Sequence, residues 1–487
     1  MKRRLSLILA LLMAASAVSC GSTGSGGETT SGSGGETGTA SETEAETTDI
    51  VTGLTPELRE QLGLDGYEFN VMLTQQGTDW SIHDLVAEEE TGDILNDAVY
   101  SRNLYLEDKC GFRIKAGYSA DFYGSEMTTF IMAGDTTYDA YFPMARSAGG
   151  AASQGLLYDL NQLRYLDLDN DCWNKLFSDT LSIGGKLYYA AGDISTNSFS
   201  AISVMFFNKT IHENLKLDNP YDLVRSGKWT VDALNSMAVA GSADLNGNAK
   251  MDDEDQWGMM LPASVGGLFF YYGFNEKITS KDSDDMPVIE VGSETSIRAY
   301  DRIVQLLSDK NTYNQMQDQA KMMKDFADGK ALFYYEVLDV ANRVRPYEID
   351  FGILPAPKYD EAQENYLCNA NGWCVSPIVV PKIVENPDRT GFIIEAIAET
   401  SKQYIVPVFY DKVLTGKALR DDDSADMLDL IVYSFVLDNA DIYQWGNLDT
   451  QMRDGMTKGT DLSSIIAKNR SAFEKAIEKT DAGMARK

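Results

Sequence analysis

Histidine is nearly absent from this chain of 487 residues: only His83 and His212 occur. So small a supply makes histidine-based acid–base or nucleophilic chemistry a poor expectation. There is also no Gly-x-Ser-x-Gly elbow. Cysteine is scarce too, with five residues, none in a CxxC pair and none at metal-ligand spacing, which argues against a zinc site. Positive charge is short: 42 Lys and Arg stand against 74 Asp and Glu, a formal net charge of −32. Nucleic acid and anionic lipid surfaces would repel such a chain. After the first twenty residues no apolar run is long enough to cross a bilayer.

What is present begins at the start of the chain. Lys2, Arg3 and Arg4 precede an apolar run from Leu5 to Val18, and small residues lead into Cys20. This is the pattern of a secretory signal, with an apolar run too short for a membrane span. Ala17-Val18-Ser19-Cys20 resembles a bacterial lipoprotein cleavage box, with Ala17 where Leu is commoner. The resemblance implies a signal peptide over 1–19 and a diacylglycerol on the Cys20 thiol. Gly, Ser, Thr and Glu fill residues 21 to about 50. Such a stretch cannot bury enough apolar surface to offset its ordering entropy. A flexible tether is expected over 20–66.

The remaining residues suffice for more than one domain. Tyr67, Phe69, Val71 and Leu73 alternate with polar residues as a strand does. A helix is expected over Leu95–Lys109, its stripe Val99, Arg102, Leu106 and Cys110, its end at Gly111. Extended segments at Phe112–Ala116 and Tyr138–Pro143 bracket a helix at Glu126–Ala133. This βαβαβ order predicts a parallel sheet with flanking helices. A second unit repeats the grammar. Its strands are Ile202–Phe207, Ala331–Tyr335 and Asp350–Leu354; its helices are Val231–Ala238, Ser293–Ser308 and the one opened by Asn386-Pro387. Thr230 is read as a cap with Trp229 in a hydrophobic staple, and Asp461–Glu478 as an amphipathic terminal helix. Cys368 and Cys374 bracket the turn-forming Asn-Ala-Asn-Gly, which leaves open a hairpin disulfide or buried thiols; the same alternatives hold for Cys110 and Cys172.

Several passages resemble the family 1 extracellular solute-binding proteins of carbohydrate ABC importers. They are Tyr138-Asp139-Ala140 followed by Gly155-Leu156-Leu157-Tyr158-Asp159-Leu160, then Phe206-Phe207-Asn208-Lys209, Gly227-Lys228-Trp229-Thr230 and Asp328-Gly329-Lys330-Ala331-Leu332. The likeness is collinear from about residue 67 to the C-terminus. It implies an α/β, two-lobed periplasmic-binding-protein-like fold of type II, with a ligand cleft between lobes joined by crossover strands. Lobe one is placed at 67–197 plus 369–405, and lobe two at 198–368 plus 406–487. It implies capture of a sugar or oligosaccharide for an ABC transporter permease at the extracellular membrane face, with no chemistry and no organic cofactor. Two alternatives stay open: a lipid-anchored glycoside hydrolase, since carboxylates are plentiful, and a binding protein for a peptide or other polar solute.

A sugar offers apolar CH faces and many hydroxyls, so its site wants aromatic rings and paired polar groups at the carboxyl ends of strands. Asp79 and Trp80 follow the first strand, and Arg146 and Ser147 follow the third. Asn197 lies at the first crossover, Tyr335 and Glu336 at the end of the Ala331 strand, and Trp373 on the second crossover. Tyr443 and Trp445 fall where the resembling family carries a C-terminal stacking tryptophan. Separately, Asp244, Asn246, Asn248, Lys250 (through its carbonyl), Asp252 and Asp255 match calcium-loop spacing, with Ala249 in place of the turn glycine. A structural Ca2+ is the expectation there.

Overall fold

In the computed structural model the chain is described over residues 51–485, apart from 52, 78–81, 83, 263–264, 314–318, 345 and 415–421. Cys20 and the signal region lie outside the described residues. The described body begins earlier than expected. A helix at Pro56–Leu62 is capped by the Thr55 hydroxyl and closed at Gly63. Val51, Leu62 and Leu64 are buried in the same core as the first strand. Residues 51–66 therefore belong to the packed body and not to the tether, because three apolar side chains find a core to enter.

The first sheet consists of β1 (Glu68–Leu73), β2 (Arg113–Tyr118) and β3 (Ala140–Tyr141), ordered β2-β1-β3 and parallel throughout. The helix Ile94–Cys110 joins β1 to β2. The Asp93 carboxylate caps its first turn, Gly111 at φ 91° ends it, and Val99, Arg102, Leu106 and Cys110 form its buried stripe. Arg102 tolerates that position because its guanidinium donates to Ser401 and to the Leu85 carbonyl. Antiparallel bridges Tyr141–Val379 and Ala190–Ile378 lay two later segments beside β3.

The second sheet is mixed, ordered β10-β4-β9-β5-β8. Its strands are β4 (Ser203–Asn208), β5 (Trp257–Met260), β8 (Thr312–Tyr313), β9 (Ala331–Val337) and β10 (Phe351–Leu354). Strands β6 (Thr279–Lys281) and β7 (Pro287–Ile289) make a separate hairpin. Every residue of β4 and β9 is buried, as expected for central strands covered on both faces. Thr230 caps the helix Val231–Gly241 beside this sheet. Trp229 is fully buried with its indole N–H on the Pro355 carbonyl, so it is a core residue, as its staple position predicts.

The two sheets are joined where Ile202 bridges Ala370, so two crossing segments run side by side. Next to them β11 (Cys368–Asn369) pairs with β12 (Phe435–Val436). Of the C-terminal helices, Asn439–Tyr443 and Leu462–Met484 pack on the helix Ala145–Ala152, and Leu448–Lys458 packs on Gly266–Gly273 and Glu294–Leu307. Cys110, Cys172, Cys368 and Cys374 are all free thiols. No helix among the described residues is long and apolar enough to cross a membrane.

Candidate functional site

β3 runs into the helix Ala145–Ala152, which is rich in small residues. The small side chains let a second helix come close: a Cβ on Gly149 would stand 2.6 Å from Ile442. That contact sets Arg146, in the first turn of its helix, against the C-terminal helices. The Arg146 guanidinium pairs with Asp441 and, at 3.0 Å, with Asp449. Arg453 also reaches Asp449 at 3.0 Å. All four groups are buried or nearly so, and burial together with the neighbouring Asp441 raises the Asp449 carboxyl above its usual range.

The turn after β11 completes this cluster. The Gly372 N–H donates to Asp441 at 2.6 Å, and a Cβ at Gly372 would lie 2.8 Å from the same carboxylate. Only glycine lets the turn sit that close. The next residue, Trp373, presents its ring to Arg146, whose guanidinium carbon lies 4.3 Å from the ring centroid. Tyr123 packs against Trp373 with centroids 5.0 Å apart, and Phe122 meets Tyr123 edge-on at 5.1 Å. Trp373 is half-buried and Tyr123 is 44% exposed, so this aromatic strip reaches solvent. It stands at the carboxyl ends of β2 and β3, where open α/β sheets bind ligands.

Several buried polar atoms on Arg146 and on the segments near its cluster are left without partners. Tyr272 Oη, Asn369 Oδ1, Asn439 Oδ1 and Arg146 Nε are all buried and unpaired. Tyr272 lies on the helix Gly266–Gly273, and its phenol interacts electrostatically with Asp438, Asp441 and Asp449; burial raises it well above its ordinary value. Buried polar groups are normally satisfied, so these four atoms have hydrogen-bonding capacity left to use.

Of the residues expected to contact a ligand, the structure brings Arg146, Ser147 and Trp373 together. Ser147 is half-buried beside Arg146. Asp79 and Trp80 lie outside the described residues. The others are placed elsewhere. Asn197 spends its amide on the second crossover, donating to the Cys374 carbonyl at 3.2 Å and accepting from the Ser376 N–H at 2.7 Å. It fastens one crossing segment to the other. Tyr335 and Glu336 are inside β9, which runs two residues past Tyr335. Tyr335 packs on Phe269 with its hydroxyl at Ser203, and Glu336 accepts from the Val337 N–H, its carboxyl raised by burial. Trp445 is 2% exposed: Tyr443 stacks on it at 4.9 Å, Phe473 meets its edge, and its N–H donates to Thr480. Tyr443 is hydrogen-bonded to Tyr189. A ring so enclosed has no face to offer a ligand, so the expectation of a stacking platform at Trp445 is corrected to a core role.

Sequence reading missed Phe122, Tyr123, Tyr272, Asp441, Asp449 and Arg453. A signal existed for Phe122 and Tyr123, an aromatic pair just beyond β2. The rest are assembled by long-range packing, and no local pattern announces them.

The calcium-like loop folds on its own hydrogen bonds. Asp244 accepts from the Gly247 and Ala249 N–H groups at 2.6 and 2.7 Å, and Asn246 and Asn248 accept from residues two further on. Ala249 takes the left-handed turn, φ 62°, that a glycine would take more easily. Asp255 is buried and accepts from Leu245 and Asp252. The Asn246 and Asn248 amide nitrogens point at Asp252. Lys250 offers its backbone N–H to Asn248. Among the described residues no group of three His, Cys, Asp or Glu side chains is arranged to hold a metal.

With this geometry in view, comparison with known proteins is informative. The family described as bacterial extracellular solute-binding protein matches residues 105–404. No curated protein sequence matches the chain. Solved structures share the fold at low identity. The galacto-N-biose/lacto-N-biose I-binding protein of a Bifidobacterium longum ABC transporter, in complex with lacto-N-biose, is 13% identical at TM-score 0.57, covering 85% of this chain and 98% of its own. The GacH receptor of Streptomyces glaucescens, solved unliganded and with acarbose, is 14% identical at TM-score 0.52, covering 86% and 97%. An ABC substrate-binding protein of Listeria monocytogenes, in complex with cycloalternan, is 13% identical at TM-score 0.52, covering 87% and 100%. The likeness to these proteins shows the same two-lobed α/β fold.

Proposed function

From the family to which this chain belongs, the bacterial extracellular solute-binding proteins, we propose that it captures a sugar or oligosaccharide outside the cell and delivers it to an ABC transporter permease. The observation that carries this reading is the Tyr123–Trp373 strip at the strand ends, backed by Arg146, whose Nε is buried and unpaired. Flat rings receive the CH faces of a pyranose, and buried donors and acceptors receive its hydroxyls. The sugar ligands of the structural relatives support the same class. Nothing in this use requires the ligand to change, so binding is followed by release and not by reaction.

The remaining parts of the proposal serve that task. The two lobes, 67–197 plus 369–405 and 198–368 plus 406–487, meet at the paired crossing segments and close over the ligand. A lipid on Cys20 holds the protein at the extracellular face of the membrane, with the polar stretch behind it as a tether. Changing Cys20 to Ser should release the protein from the membrane fraction into the medium; retention would remove the anchor. A Ca2+ in the Asp244–Asp255 loop would replace the amide–carboxylate contacts there and stiffen lobe two.

The functional test is a thermal-shift screen of the purified protein against mono- and oligosaccharides, followed by analysis of the recovered sugar. A binder raises the melting temperature with the logarithm of its excess. The proposal expects stabilisation by a subset of saccharides, each recovered intact. Shortened products would replace transport with hydrolysis, and stabilisation by peptides alone would change the ligand class.

A further inference from the structure

The charges behind the aromatic strip restrict which saccharides the site accepts. Arg146 is the cation nearest Trp373, and its charge is already spent. Its side chain is 4% exposed and it is paired with Asp441 at 7% and Asp449 at 0%. Asp449 is shared with Arg453, and Asp441 also takes the Gly372 N–H. Two cations face two carboxylates, so the cluster is formally neutral before any ligand arrives.

The orphan atoms favour the same kind of ligand. Asn369 Oδ1 and Asn439 Oδ1 are buried, unpaired acceptors. Asn369 precedes Gly372 by three residues and Asn439 precedes Asp441 by two, so both lie on the segments that build the cluster. An amide oxygen needs a donor. A sugar hydroxyl provides one, whereas a carboxylate only accepts. Tyr272 Oη can act either way, and Arg146 Nε is a single unpaired N–H, enough for one hydroxyl or ring oxygen. A ligand carboxylate beside Arg146 would lie near the Asp441 and Asp449 carboxylates. Its compensation would be limited to the Arg146 Nε N–H and the Tyr272 hydroxyl, because the rest of the guanidinium is held in a buried pair, and a buried charge without a full partner is costly.

We propose that this site is selective for uncharged saccharides and rejects the same saccharides when they carry a carboxylate, with Asp441 as a specificity-determining residue that keeps Arg146 occupied. Rejection here comes from a built-in repulsive element and not only from lost contacts. The inference rests on the saccharide reading above and adds a discrimination which that reading does not require.

The test uses di- and trisaccharides of glucose and galactose, each beside its glucuronate or galacturonate counterpart of the same linkage, titrated into the purified protein. The neutral member of a pair that binds should bind at least about tenfold more tightly than its acid, a difference of about 1.4 kcal/mol. Asp441→Asn removes one of the two charges that occupy Arg146 and should narrow that ratio by about threefold or more; Asp449→Asn serves if the first variant does not fold. An acid that binds the wild type as tightly as its neutral partner would overturn the inference while leaving saccharide binding intact. So would a folded variant with an unchanged ratio. If neither member of any pair binds, the saccharide reading itself falls and takes this inference with it.

Discussion

Trp373 and Trp445 stand in similar sequence surroundings, yet the structure gives them opposite environments. Each is flanked by small or polar residues, Asn-Gly before one and Gly-Asn after the other. Trp445 is enclosed: one face is covered by Tyr443, its edge by Phe473, and its N–H is satisfied by Thr480. Trp373 is half-buried, touches the exposed ring of Tyr123, and carries the Arg146 guanidinium over its ring. Polarity of the neighbours in sequence does not report exposure when the backbone turns between them. Gln444, Gly446 and Asn447 all have positive φ, so the chain folds back around Trp445 and aims the ring inward, under the helix Leu462–Met484. What separates the two rings is access: Trp373 is half-buried and lies on the Arg146 guanidinium, whereas Trp445 is 2% exposed.

The largest effect expected from this comparison is on stability. Trp445→Ala should cost roughly 3–5 kcal/mol of unfolding free energy, as for other buried aromatics, which denaturant titration would measure. A variant as stable as the wild type would return Trp445 to the cleft and erase the contrast between the two tryptophans.

A smaller effect depends on pH. Asp193 lies just before the first crossing segment, and burial pushes its carboxyl up to about 7, with Lys402 only partly opposing the shift. The sign follows from linkage: the folded state holds this proton more tightly than the unfolded one, so the group's contribution falls as pH rises from about 4 to 7. Asp193→Asn should therefore match the wild type near pH 4 and exceed it by roughly 1–3 kcal/mol at pH 8. Melting temperatures across that range would show it, and a constant difference at every pH would rule Asp193 out as the cause. The Trp445 region has no such group among its contacts, so Trp445→Ala should carry the same penalty at both pH values.

The smallest effect concerns the Asp244–Asp255 loop, far from either tryptophan in sequence. If the loop takes Ca2+, chelation should lower the melting temperature by a few degrees at most, equivalent to about 1–3 kcal/mol from ion linkage. Asp244→Ala should abolish the response. A chelator response that survives Asp244→Ala would assign the ion to another place.

Much of the fold is legible in the sequence because its signals are local. Asp93 and Gly111, Thr230, Ser293 and Asn386 each mark a helix end that the structure places there. The alternation in Tyr67–Leu73 gives β1. The lobe boundaries expected at 197–198 and 368–369 lie a few residues from the Ile202–Ala370 bridge. The site was less legible. Arg146 was proposed by the rule that ligands meet strand ends and Trp373 from its place on the second crossover, and the structure sets the two in contact. The same rule misplaced Tyr335 and Glu336 because β9 extends to Val337. Asn197 failed for another reason: its amide matches a sugar hydroxyl and a backbone peptide group equally well, and the neighbouring crossover supplied the latter first. Asp441, Asp449 and Arg453 lie about three hundred residues beyond Arg146, and only the folded chain shows that they meet.

The central claim is that the Tyr123–Trp373 strip binds sugar and the Trp445 region does not. Its most direct test is calorimetric titration of a saccharide that stabilises the wild type into Trp373→Ala. A stacked aromatic contributes about 0.5–1.5 kcal/mol beyond its buried area. The account predicts affinity at least about tenfold weaker, with the unliganded melting temperature nearly unchanged. Wild-type affinity in Trp373→Ala would contradict it.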